Sequence, residues 1–167
     1  MENNITTLIL EAKSGNTVAF HKLVSYHDER IMTLALQLTR DKQDAEDLYQ
    51  EVFMKAYKAI GSFRLESEFF TWLYRITVNS FYDLQRKASR IQKQESLAPE
   101  KDSTHDIADD SIPSAEKEEI QHAVTNALNH LPTQQKTAFV MKHYEGFKIR
   151  EIAKIMDLSD GTVKRYL

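Results

Sequence analysis

Glu145-Gly146-Phe147-Lys148-Ile149-Arg150-Glu151-Ile152-Ala153-Lys154-Ile155-Met156-Asp157-Leu158-Ser159-Asp160-Gly161-Thr162-Val163-Lys164-Arg165-Tyr166-Leu167 closes the chain with the spacing of two short helices joined by a tight turn. Such a pair needs a small residue where the helices touch, and Ala153 supplies it. Four positions on it needs a residue that tolerates a left-handed backbone, and Asp157 does so better than most. Val163 supplies the apolar anchor of the second helix, Ser159 its cap. Ile149, Ile152, Met156, Leu158 and Tyr166 are the remaining core candidates. Asp160, Thr162, Lys164 and Arg165 are left on the solvent side near the start of the second helix. In a helix-turn-helix those positions enter the major groove, where Lys and Arg pair with guanine edges. A plain helical hairpin with solvated charges fits the spacing equally well. The preceding helix, Pro132 to Glu145, favours DNA binding.

Upstream, Ile120, Val124, Ala127, Leu128 and Leu131 form an apolar stripe, Pro132 suits the first turn of the next helix, and Gly146 ends that helix. Residues 94–114 lose the helical pattern and hold Pro, Ser and many acids, the composition of a flexible linker. From Glu95 to Glu119 there are nine acids and two bases, a local charge of −7 within a net −3, so the remainder sums to +4.

Residues 1–93 carry helical periodicity throughout. Thr6 or Thr7 is the expected cap of a first helix ended by Gly15-Asn16, and Thr17 of a second. A third spans His27 to Thr39. Asp41 starts a fourth, with its stripe running to Ile60 and Gly61 as its C-cap. A turn over Ser62 to Ser67 leads to a long helix from Glu68 to Lys93. The expected fold is all-α: two small helical domains, 1–93 and 115–167, joined by the acidic linker 94–114, the second domain a helix-turn-helix. The stop at Leu167, inside the recognition helix, is taken as a truncation of that domain.

Composition narrows the function. The 167 residues include no Cys and only four Gly, which excludes disulfides and cysteine-based metal sites and disfavours a turn-rich β fold. No run approaches the ~18 apolar residues of a membrane span. His21, His27, His105, His122, His130 and His143 are scattered, without HExxH spacing, a Gly-rich phosphate loop or a nucleophile motif. They are expected to be ordinary core or surface residues. No enzyme activity, metal or cofactor is expected.

Two stretches of the first domain carry binding chemistry. Asp44, Asp47 and Glu51 share one helix face; helix-dipole compensation, which the residues alone slightly favour over a cationic partner surface, covers the first turn but not Glu51, two turns in. From Phe63 to Lys87 aromatics alternate with bases, as in proteins that stack unpaired bases and track phosphates. The spacing of Phe69, Trp72, Leu73 and Ile76 is equally that of a core. The contacts expected on this pattern are Arg75, Arg86, Lys87 and Asn79.

Asp44–Ile60, Phe63–Asn79 and Leu131–Val163 together resemble, in order, the three conserved motifs of the extracytoplasmic-function (ECF) sigma factors. The resemblance covers nearly the whole chain outside the linker. It implies that Asp44, Asp47, Gln50 and Glu51 hold core RNA polymerase at the β′ clamp coiled coil, with Phe53 packing behind, and that the polymerase also engages the chain at the β flap. It implies that Ser67, Phe69 and Asn79 surround a pocket for a flipped base of the melted minus-ten element, with Trp72 alongside and Arg64, Arg75, Arg86 and Lys87 near the strand. Arg150, Thr162, Lys164 and Arg165, with the cap Ser159, belong by the same resemblance to the minus-thirty-five duplex. An anti-sigma partner is implied as well, with a bacterial cytoplasmic location or a tether at the inner membrane through that partner, and a monomer when free. Glu66, Glu68, Lys148 and Arg165-Tyr166 depart from the family pattern. A stand-alone helix-turn-helix regulator of duplex DNA explains the last forty residues but not the Asp44–Tyr57 helix or the Phe63–Lys87 segment, and for a helical adaptor without a DNA role the acidic linker and the charge are unremarkable.

Overall fold

The computed structural model describes residues 2–65, 68–95, 127–128 and 130–167. The described residues are helical, with no strand among them. The chain divides into two compact units, Met1–Asp102 and Ser103–Leu167.

The first unit holds α1 (Glu2–Lys13), α2 (Thr17–Ser25), α3 (Asp28–Thr39), α4 (Lys42–Ala59), a 3-10 turn (Ile60–Ser62) and α5 (Phe69–Glu95). α3, α4 and α5 pack against one another, and α1 lies on α2 and on the 3-10 turn. Their shared core holds Leu23, Ile31, Leu34, Leu38, Leu48, Val52, Leu73, Tyr74, Val78 and Phe81, all buried.

Local chemistry sets most helix ends. Asp41 caps α4, its carboxylate accepting from the Asp44 N–H at 2.9 Å. Four boundaries differ from the sequence expectation. α1 begins at Glu2, so Thr6 and Thr7 lie inside it. Gly15, at φ +95°, turns the chain so that Asn16 rather than Thr17 caps α2, its Oδ1 accepting from Val18 and Ala19 at 3.0 and 3.1 Å. α4 runs into the 3-10 turn, so Gly61 is not a left-handed cap. α5 continues to Glu95, two residues into the expected linker. The rest of that linker, Ile120, Val124 and Ser67 lie outside the described residues.

Arg40 ends α3 in the left-handed region at φ 61°, its N–H donating to Leu36 O. A long-range tie fixes the approach to α5: Lys13 Nζ donates to Phe63 O at 2.6 Å.

His27 joins α2 to α3. Its ring lies between Phe69 and Phe70, with centroids 5.5 and 5.4 Å away, and Arg30 sits 4.9 Å over the Phe70 ring. Its buried Nε2 has no hydrogen-bond partner. Burial, and then the Arg30 charge, push its pKa below the ordinary histidine value. The unfolded chain therefore binds the proton more readily than the folded one, and stability falls as pH drops through the ordinary value of 6.5. Thermal unfolding of the full chain from pH 8 to 5 is expected to show this loss, and His27→Phe to flatten it; parallel curves for the two proteins would exclude His27 as the cause.

Among its described residues the second unit holds α6 (Thr133–His143), α7 (Ile149–Met156) and α8 (Asp160–Tyr166), each packed on the other two. Pro132 is the N-cap of α6 rather than a first-turn residue. α6 ends at His143 with Tyr144 as its C-cap, so Gly146, left-handed at φ +72°, lies within the connection to α7 instead of ending the helix. Glu151 accepts from the Lys148 N–H at 2.7 Å; the lysine side chain has no acceptor with which to return that cap.

Candidate partner and nucleic-acid interfaces

Successive helix residues stand ~100° apart, so Asp44, Asp47 and Glu51 occupy one side of α4. Asp44, Asp47 and Gln50 are exposed and Glu51 is half-buried. Partial desolvation, and then the Asp41 and Asp47 carboxylates, push the Asp44 pKa up. Crowded carboxylates of this kind favour a cationic partner that relieves their repulsion. Phe53 lies on the far side of the helix from this face, its ring edge-on to Tyr49 at 4.7 Å. Tyr49 in turn donates to Asp28 at the start of α3. The sequence pattern missed Met54 and Tyr57, which extend the exposed face at 60% and 46% exposure. Met54, i+4 from Gln50 and i+3 from Glu51, and Tyr57, i+3 from Met54, carried the available signal in their spacing.

α5 carries the second surface. Trp72, Arg75, Asn79 and Arg86 fall on one side of it, with Lys87 adjacent, and Arg90, which the sequence reading did not single out, continues the row at i+4 from Arg86. Arg75, Asn79, Arg86, Lys87 and Arg90 are exposed, and Trp72 is half-buried. Phe69 is a correction: it is 4% exposed, packed on Phe63 and Trp72, so it supports the surface from beneath instead of facing a strand. The cause is the turn after the 3-10 helix, which folds Phe63 back over the start of α5. Arg64 is exposed in that turn.

The two faces meet. Lys55 on α4 pairs with Glu51 at 2.8 Å and with Asp83 of α5 at 3.2 Å, and Asp83 pairs with Arg86. The Arg86 hydrogen bond, opposed by burial and helped by Lys55, holds the Asp83 pKa below the usual carboxylate range. An open cleft of about 280 Å³ is lined by Glu51, Asp83, Arg86, Lys87 and Arg90.

In the second unit, Ala153 and Val163 are buried where α7 and α8 touch. Asp157 is left-handed, at φ 57° and ψ 47°. Ser159 Oγ accepts from the Thr162 N–H at 3.1 Å and lies 2.9 Å from the Thr162 hydroxyl, so both side chains serve the cap. Ile152 and Met156 are buried, Ile149 and Leu158 half-buried. Ile155, not counted among the core candidates, is fully buried. Tyr166 is half-buried and donates to Gln134 on α6 at 2.7 Å, fixing the far end of α8. Arg150, Lys164 and Arg165 are exposed. Arg150 lies 3.7 Å from Asp160, an exposed pair that holds the guanidinium near the start of α8. Asp160→Asn is expected to tighten duplex DNA binding about two- to fivefold at low salt, the worth of one exposed ion pair. Anisotropy of a labelled duplex checks this, and weaker binding would contradict it.

A pair of helical units, the second a helix-turn-helix with basic residues at its tip, defines an all-helical DNA-binding transcription protein. The Sigma-70 region 2 family profile matches residues 23–91, and that of Sigma-70 region 4 matches 121–167. The ECF RNA polymerase sigma-E factor of Haemophilus influenzae is 35% identical over 94% of this chain and 86% of its own length. The ECF RNA polymerase sigma factor SigW of Bacillus subtilis is 30% identical over 98% and 91%. Among solved structures, the sigma factor RpoE of Bartonella quintana, in complex with the anti-sigma factor NepR, has 25% identity, covers 89% of each chain and gives a TM-score of 0.71. CnrH, in complex with the cytosolic domain of CnrY, shares the fold at a TM-score of 0.68 and 24% identity, covering 98% of this chain and 90% of its own. The chain belongs to the sigma-70 family, in its ECF group.

Proposed function

We propose that this ECF sigma factor, which binds core RNA polymerase and directs promoter-specific transcription initiation, docks on the β′ clamp through Asp44, Asp47, Gln50 and Glu51, joined by Met54 and Tyr57. The face of α5 bearing Arg75, Asn79, Arg86 and Lys87, with Trp72, Ser67 and Arg64, meets the melted minus-ten element. Arg150, Lys164 and Arg165 meet the minus-thirty-five duplex, with Ser159 and Thr162 setting the helix that carries them. The juxtaposition of an acidic face on α4 with a basic face on α5 carries this assignment: one accepts a cationic protein surface, the other a phosphate backbone. The domains are 1–95 and 115–167, the first extended by two residues to the end of α5, with 96–114 as linker. The chain breaks and makes no bonds itself; the polymerase performs the chemistry. No described helix is long and apolar enough to cross a membrane. The cytoplasm, where core polymerase and DNA lie, is the expected location, with an anti-sigma protein covering the docking face.

Sigma-free core polymerase supplies the test. Arg75→Ala and Asn79→Ala are expected to impair open-complex formation, read by permanganate footprinting, at unchanged affinity for core. Equal loss of core affinity would move the α5 face into the polymerase interface. Binding to duplex DNA without any binding to core would favour a stand-alone regulator.

A further inference from the structure

Lys55 stands where the two faces meet. Its Nζ is 2.8 Å from Glu51 Oε1, 3.0 Å from Ser80 Oγ and 3.2 Å from Asp83 Oδ2. An ammonium has three protons, so its capacity is filled. The other Asp83 oxygen accepts from Arg86. A continuous chain of charges thus runs from Glu51 through Lys55 and Asp83 to Arg86. The Glu51, Lys55 and Asp83 side chains are 33%, 40% and 39% exposed, and Ser80 beneath them is buried. Partly shielded charges at these distances act on one another more strongly than solvated ones.

We propose that Lys55 is a positioning residue that couples polymerase docking at Glu51 to release of Arg86 for the promoter strand. This rests on the assignment of α4 to the polymerase and α5 to DNA. A cation of the polymerase that engages Glu51 competes with Lys55 for it. Lys55 then gives its charge to Asp83, and Asp83 holds Arg86 less tightly. Arg86, 70% exposed, is free to turn to a phosphate. The effect is reciprocal: a phosphate that takes Arg86 leaves Asp83 to Lys55 and Glu51 to the polymerase. In the free protein the same chain restrains Arg86, so that the strand-binding surface is fully available only on the polymerase.

Glu51→Gln imitates the docked state by withdrawing the carboxylate from Lys55. Fluorescent oligothymidylate, a probe of backbone binding, is titrated with the full chain at low salt. Glu51→Gln is expected to tighten binding about two- to fivefold with Lys55 present, the size of coupling usual between contacting groups. The gain should shrink in a Lys55→Met background and return with Lys55→Arg. Loss of a carboxylate near DNA contributes equally in every background, so only the difference between backgrounds measures the coupling. Equal gains with Lys and Met overturn it and leave the docking assignment standing. If Arg86→Gln fails to weaken oligothymidylate binding, the assignment of α5 falls and the coupling with it. Should Lys55→Met not fold, judged by its circular dichroism melt, Asp83→Asn replaces it. That change frees Arg86 outright, and a full Glu51→Gln gain on top of it overturns the coupling.

Discussion

Reversing the charge at Asp47 and Glu51 together, each to Arg, is expected to weaken binding to core RNA polymerase by at least about a hundredfold. Losing one partner of a close interfacial charge pair costs ~2–5 kcal/mol, and each ~1.4 kcal/mol is tenfold in affinity. Reversal adds repulsion to that loss. The setting enlarges the effect, because Asp44 is already raised by desolvation and by Asp41 and Asp47, so the face is poised for cations. The fold should survive: Asp47 is exposed, and Glu51 leaves only Lys55, which keeps Asp83 and Ser80. Anisotropy of labelled protein titrated with core checks the loss, with the circular dichroism melt as control. Undiminished binding would remove α4 from the interface.

Val163→Asp should abolish the contribution of the minus-thirty-five element while leaving affinity for core nearly intact. Val163 is fully buried at the crossing of α7 and α8. An unpaired carboxylate there costs about 3–5 kcal/mol, a large share of the stability of a small helical unit. α8 carries Lys164 and Arg165, so its displacement removes the basic tip from the groove. Transcription from templates with intact and scrambled minus-thirty-five elements separates the outcomes. Wild type should favour the intact template, and Val163→Asp should transcribe both at the same low level. A retained preference would mean that α8 does not read the element.

The departures from expectation share a cause. Asn16 rather than Thr17 caps α2 because Gly15 turns the chain just before it, and a cap is chosen by backbone path as well as by residue type. Met54 and Tyr57 escaped notice because exposed apolar residues on an amphipathic helix look like core until burial is known. Phe69 looked like both core and contact, and only the return of Phe63 over α5 decided it.

What the sequence determined by itself lies within one helical turn or across one short connection. The Asp41 and Ser159 caps, the left-handed Asp157, small Ala153 at the crossing, and the all-helical, two-unit plan follow from hydrogen bonds and periodicity over a few residues. What only the tertiary structure decided joins residues 25 to 50 positions apart: Lys13 to Phe63, Lys55 to Ser80 and Asp83, and Gln134 to Tyr166. The stacking of His27 on Phe69 and Phe70 belongs with them. No spacing rule announces such contacts, because they depend on how whole helices cross, which is set by the packing of their buried faces. The charges that periodicity had assigned to separate surfaces are connected at that level, through Lys55.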